Sequence, residues 1–197
     1  MKTLTIVSII ILLLFFAKNL FSVDAEKNYT LIKKLDKIEI RKYKSSIYAS
    51  FIPKNEKERN SSFRKVASFI FGDNTNNEKI SMTSPVVIKI HNDYEMAFIM
   101  PKKYSLENLP KPDNKEINIY TQPGTLKACI SYSGYTNKAV ENKKINELKN
   151  ILLKYNYKHK NDFEILVYNS PFEFTNRKNE IIVTINMDTK NNEKIST

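Results

Sequence analysis

Twice along this chain the same order of patterns recurs: strand, helix, then two strands, with a proline-bearing linker between the rounds. The first round opens at 37–53, "KIEIRKYKSSIYASFIP". Ile38, Ile40, Ile47, Ala49 and Phe51 alternate there as in a strand or a bent strand pair. In "SSFRKVASFIFGDN" (61–74), Phe63, Val66, Ala67 and Ile70 fall at i, i+3, i+4 and i+7, one apolar face of a helix that Gly72 stops. The charged stretch "KNEKERNSS" before it reads as a loop. "SPVVIKIHND" and "YEMAFIMPKKY" read as two strands around a turn at His91-Asn92-Asp93, and Pro101 ends the second.

After the linker "SLENLPKPDNKE" (105–116) the order returns. "INIYTQPGTLKACISYSG" (117–134) is a strand pair around Gln122-Pro123-Gly124. "NKAVENKKINELKNILLKYNY" (137–157) is a helix with Val140, Ile145, Leu148, Leu152 and Tyr155 on its inner face. "FEILVYNSP" and "NEIIVTINM" are two more strands. Each round alone has too little apolar surface for a core. The two are therefore expected to fuse into one α+β domain of duplicated β-α-β-β units. Its largely antiparallel sheet curls into a distorted β-barrel, and the two helices pack on it.

The domain is expected over 36–187. Before it, "MKTLTIVSIIILLLFFAKNLFSVDA" has Lys2, then an apolar run from Leu4 to Ala17, too short for a comfortable membrane span. It reads as a signal peptide over 1–25, cut after Ala25; the alternative is an uncleaved anchor over Leu4 to Phe21. Residues 26–35 are a polar lead-in and 188–197 a polar tail. The leader points to the secretory pathway, with a secreted or endomembrane destination. The lysine-rich stretch from Lys27 to Lys37 leaves further organelle targeting open. Asn28 and Asn60 head glycosylation sequons.

The formal charge is +11, and removing 1–25 leaves +10. Such a field attracts anions, including phosphates, acidic membranes and carboxylate ligands. Only Arg41, Arg59, Arg64 and Arg177 are arginines. The rest are scattered lysines, which is the pattern of a solvated basic surface. The single cysteine, Cys129, rules out an internal disulfide, so the fold rests on its hydrophobic core.

Enzyme signatures are sparse: no nucleophile elbow, phosphate loop, dinucleotide fingerprint or metalloprotease helix occurs. Cys129 sits in an alternating strand and reads as a buried, inert thiol. Ser81 and Ser84 have no base nearby in sequence. His91 and His159 read as solvent-facing polar residues. Tyr43 in "RKYK", and Tyr155 and Tyr157 in "KYNYKHK", carry only a weak base-stacking signal, so no nucleic acid is expected.

"FRKVASFIFGDN", "EKISMTSPVVI", "YEMAFIMPKKYSLENLPKP", "PGTLKACISYSG" and "KNEIIVTI" follow one another in order. Together they closely resemble the SOUL heme-binding protein family. The resemblance implies a distorted β-barrel flanked by two helices, and binding of heme or another tetrapyrrole in an apolar pocket beside the first helix. Carried over, it implies a heme-binding set of Phe63, Arg64, Ala67, Phe71 and Met82, with Val66 and Ile70 nearby. Phe63, Val66, Ala67 and Ile70 can equally be the helix's core face. Arg59, Arg64 and Lys65 are candidates for the carboxylate rim. A basic residue found on this helix in some members is Ser68 here. The tryptophan loop before the last strand is "YNSPFEFTNRKNE", with Phe172 and Phe174 instead. For the iron, His91, His159, Met82, Met96, Met100 and Tyr43 all remain candidates.

The expected function is therefore a tetrapyrrole carrier or buffer rather than a catalyst, with heme or porphyrin as ligand and partner. Two alternatives stand beside it. One is an enzyme on a tetrapyrrole or other small apolar substrate in the same pocket, using Glu78, Glu95 or His91 as acid or base. The other is a charge-driven module for a protein or an anionic membrane; membrane contact is allowed by the charge but not predicted.

Overall fold

The computed structural model describes residues 28–91, 94–170, 173 and 176–186. The leader, Asn92, Asp93, Phe172, Phe174 and the tail lie outside the described residues. The elements run β1 (Tyr29–Leu35), β2 (Ile38–Tyr43), β3 (Ser46–Phe51), α1 (Glu56–Phe71), β4 (Val86–Lys89), β5 (Glu95–Ile99) and β6 (Asn118–Gln122). Then follow β7 (Leu126–Ser133), α2 (Lys138–Lys154), β8 (Lys158–His159), β9 (Glu164–Val167) and β10 (Lys178–Asn186).

The strands form one curled antiparallel sheet, a half-barrel, in the order β1-β2-β7-β10-β9-β4-β5-β3-β6, with β8 paired to β10. This order is symmetric about the β9–β4 pair. On one side lie β4, β5 and β3 of the first round; on the other lie β9, β10 and β7 of the second. The outer strands are exchanged. β2 leads the first round but pairs with β7, and β6 leads the second but pairs with β3. Neither round completes its sheet without the other, which is the structural content of the duplication.

Several local features depart from the sequence reading. The stretch read as a charged loop forms the first two turns of α1. Asn55 Oδ1 accepts from the Glu58 amide at 2.9 Å, and Glu58 Oε2 accepts from the Lys54 amide at 2.9 Å. This reciprocal cap, with Glu56 and Glu58 in the first turn, favours an early start in a run of good helix formers. The polar lead-in contains β1, an edge strand exposed along most of its length, so it shows no apolar alternation. α2 begins at its Asn137 cap as expected, but ends at Lys154, with Asn156 in the left-handed region.

Both helices pack on one face of the sheet. Leu148 and Leu152 of α2 cover Ile38, Ile40, Ala128, Ile130, Ile181 and Val183. Val66, Ala67, Phe69 and Ile70 of α1 cover Ala49, Phe51, Met96 and Phe98. The buried face of α1 is rotated from the expected one. Ser62 and Phe69 are inside, and Phe63 is 42% exposed. Gly124, in the β6–β7 turn, is required by close approach, since a Cβ there would stand 2.7 Å from the Tyr43 carbonyl oxygen.

Candidate functional site

The face turned away from the helices carries the second residue of each alternating pair. β2 contributes Arg41 and Tyr43, β3 Tyr48, and β7 Lys127 and Cys129. β9 contributes Glu164 and Leu166, and β10 Glu180 and Ile182. A cavity of about 1030 Å³ opens on this face, lined by Tyr43, Tyr48, Lys127, Leu166, Tyr168 and Ile182 among others.

Charge on this face is buried and paired. Glu180 accepts both terminal nitrogens of Arg41 at 2.8 and 3.0 Å, the Tyr168 hydroxyl at 2.7 Å and the Ser131 hydroxyl at 3.1 Å. Lys178 Nζ lies 3.0 Å away. Burial pulls this carboxyl up, but the Arg41 hydrogen bonds and charge outweigh it and hold the pKa at about 2. Lys127 meets Glu164 at 2.8 Å, and Lys89 meets Glu95 at 3.2 Å. Burial pushes the phenols of Tyr43, Tyr48, Tyr120 and Tyr168 far above their usual range, so they stay neutral. The Cys129 thiol is buried and likewise pushed up, in keeping with an inert thiol.

The residues singled out from the sequence lie elsewhere. Phe63, Arg64, Ala67 and Phe71 fall on one side of α1 by their spacing of one, four and eight residues, a stripe about 12 Å long. Met82 comes from the segment that follows. That segment is anchored to the helix end by the Ile80 amide donating to the Ile70 carbonyl at 2.8 Å. Phe63, Phe71 and Met82 are 42%, 62% and 42% exposed, while Ala67 is buried. The Phe63 ring packs on Phe98 with centroids 5.2 Å apart. None of the five lines the large cavity.

Of the three candidate rim cations, two are committed. Lys65 Nζ is 2.8 Å from Glu116 and sits 4.1 Å over the Phe51 ring. Arg59 stacks 4.2 Å over Tyr94 and reaches Glu56 at 3.4 Å. Arg64 is exposed and has no partner among the described residues. The stripe thus joins exposed apolar surface to a guanidinium that has no partner among the described residues. A flat apolar molecule with an acidic edge fits that chemistry.

The candidate acids and bases do not converge. Glu95 lies on the far face with Lys89 and Tyr120; burial acts to raise its pKa, but their hydrogen bonds and charge hold it low. Glu78 accepts from the Tyr104 hydroxyl beside the α1 end. His91 Nδ1 faces the Phe163 carbonyl at 3.3 Å, in a smaller recess against α2. Tyr43, with its phenol held neutral and bonded to Arg41, is unsuited to serve as a phenolate ligand. Met96 and Met100 are buried, and Met82, two residues beyond the Ile80 anchor, is exposed. Among the described residues, no group of three or more His, Cys, Asp or Glu side chains could hold a metal ion.

Sequence reasoning passed over the polar far face. Its signal was present: Glu39, Arg41 and Tyr43 alternate with Ile38 and Ile40, and Glu180 precedes a run of aliphatics. Charge at alternate positions of a central strand marks a face that buries its ions against one another.

The family model for SOUL heme-binding protein matches residues 25–184. No curated protein matches the chain. Solved structures share the fold at low identity. An uncharacterized conserved protein from Listeria innocua superposes with TM-score 0.60 at 7% identity, over 76% of this chain and 92% of that one. The C-terminal domain of EcmrR gives 0.56 at 13%, over 81% and 99%. A hydrolase from Listeria innocua gives 0.56 at 10%, over 84% and 98%.

Proposed function

Because the chain belongs to the SOUL heme-binding protein family, we propose that it binds heme or a related tetrapyrrole on the stripe of α1, as a carrier or buffer. The observation that carries this reading is the exposed pair Phe63 and Phe71, with exposed Met82 in the segment that follows, beside the Arg64 guanidinium, which has no partner among the described residues. Heme is an apolar disc with two carboxylates at its edge. Phe63 and Phe71 offer surface for the disc over the buried Ala67 between them in sequence, and Arg64 meets a carboxylate. When bound, the group would supply its iron, and the exposed thioether of Met82 would be a candidate to ligate it. The leader over 1–25 supports a secreted or endomembrane setting for this role. Among the described residues, no helix is long and apolar enough to cross a membrane.

Titration with hemin, followed by the Soret band, tests this reading. A saturable shift is expected at micromolar heme, equivalent to about 8 kcal/mol of binding free energy. Phe63→Ala and Arg64→Ala should each weaken binding by about tenfold, as loss of one charge-assisted bond or one aromatic contact implies. A protein that shows no saturable shift at that concentration does not bind heme in this way.

A further inference from the structure

The floor of the large cavity lies on the opposite face of the sheet from α1, while its rim reaches Ile47, Met100 and Tyr104 at the edge of the α1 cluster. Adjacent residues of β3 show the separation: Ala49 packs under α1, while Tyr48 joins the cluster of Leu166, Ile182 and Cys129 on the far side. At about 1030 Å³ the cavity is at the upper end of the size of small-molecule sites. Its walls combine tyrosine rings, Tyr43, Tyr48 and Tyr168, with the aliphatic side chains of Ile99, Leu166 and Ile182.

The sign of its charge follows from which partner of each ion pair faces inward. Lys127 and Lys178 line the cavity; their partners Glu164 and Glu180 do not. Glu180 is saturated by Arg41, Tyr168, Ser131 and Lys178, and so has no bond left for a ligand. Glu164 Oε2 is buried without a partner among the described residues, but outside the lining. Lys178 Nζ is held 4.2 Å over the Tyr168 ring, which orients a cation beside an aromatic wall. Lys44 adds further positive charge to the lining, and Glu107 is the acidic residue in it among the described residues. The inner surface is thus aromatic and apolar, with lysines as its outward charges.

We propose that this cavity is a second ligand site, for a flat aromatic molecule bearing a carboxylate or sulfonate. The site shares none of the five residues of the tetrapyrrole stripe and does not depend on them, although Thr83 of its rim follows Met82 in sequence. The rings accept the planar body, and Lys178 with Lys127 takes the anionic group.

Calorimetric titration with 2-naphthoate, beside its cationic counterpart 2-naphthylmethylammonium, tests the site. Saturable binding of 2-naphthoate is expected, with no binding of the cation. Lys178→Gln should raise the Kd by about tenfold. This lysine is half-exposed and Glu180 keeps Arg41, so the variant is expected to fold. Lys44→Gln, at an exposed residue of the lining, gives a second reading if it does not, with a smaller rise. Adding hemin first should leave the 2-naphthoate Kd unchanged. No saturable heat with 2-naphthoate, equal or tighter binding of the cation, or a Kd unmoved in both lysine variants overturns the proposal. Competition by hemin overturns the separateness of the two sites. Failure of hemin to bind removes the tetrapyrrole reading and leaves this one standing.

Discussion

The two faces of the sheet solve the burial problem differently. Under the helices, Leu148, Leu152, Val66, Phe69 and Ile70 meet aliphatic and aromatic strand residues, and stability there comes from non-directional burial. On the far face, Arg41, Lys127, Glu164 and Glu180 are buried too, yet each of these ions is held by a directed partner. A packed apolar face tolerates small changes of shape by repacking. A face of paired ions does not, because removing one partner leaves a desolvated charge. The helix face is therefore the forgiving one, and it is also where exposed apolar surface is free to take up a function. The far face combines rigid ion pairs with an open cavity, which suits selection by charge and shape.

The contrast is sharpest at Glu180. Glu180→Gln keeps the volume but removes the buried carboxylate partner of Arg41, leaving the guanidinium only the partly exposed Glu39 at 2.7 Å, at a cost of about 3 kcal/mol. Thermal or denaturant unfolding measures this directly. Leu148→Ala, the matching change beneath α2, should cost about 2–5 kcal/mol through lost burial and the cavity left behind. If Glu180→Gln is nearly neutral while Leu148→Ala is not, the far face is an electrostatic ornament and the comparison fails.

Acid offers the same test without mutation. The Glu180 carboxyl lies at about 2 when folded, against an ordinary 4.5. A depressed carboxyl gives stability that is fully present above the unfolded pKa and is lost as pH falls from about 4.5 toward 2. Chemical denaturation across that window should show falling stability, and the fall should be much shallower in Glu180→Gln. At the other limit, the buried phenols of Tyr43, Tyr48 and Tyr168 sit above their usual 10. Their contribution is present below pH 10 and is lost as pH rises beyond it. Tyrosinate absorbance should therefore appear together with unfolding rather than before it.

What was legible in the sequence follows the same division. The duplicated order, both helices and the antiparallel sheet could be read because apolar periodicity records the helix face directly, as Leu148 and Leu152 show. The exchange of β2 and β6 between the rounds left no local trace. The Arg41–Glu180 bond joins residues 139 positions apart, and no spacing rule reaches that far. The start of α1 was hidden because Glu56, Lys57 and Arg59 look like a loop until the Asn55 cap is recognised. β1 was hidden because an exposed edge strand need not alternate. Of the candidate site, the helix positions were taken from the family motifs. That Arg59 and Lys65 are already engaged depends on Tyr94 and Glu116 from distant segments, whereas Arg64 has no partner among the described residues.

The smallest effect on stability is expected at Phe63, and it separates packing from function on the helix face. Its ring touches Phe98 yet is 42% exposed, so Phe63→Ala should cost about 1 kcal/mol, the worth of one aromatic pair with partial burial. Phe69, six residues on and 1% exposed, should cost about 3–5 kcal/mol on the same change. If hemin affinity falls about tenfold in Phe63→Ala while the unfolding midpoint barely moves, the exposed ring serves binding. If stability and affinity fall together, Phe63 is one more core residue, and the stripe loses its strongest member.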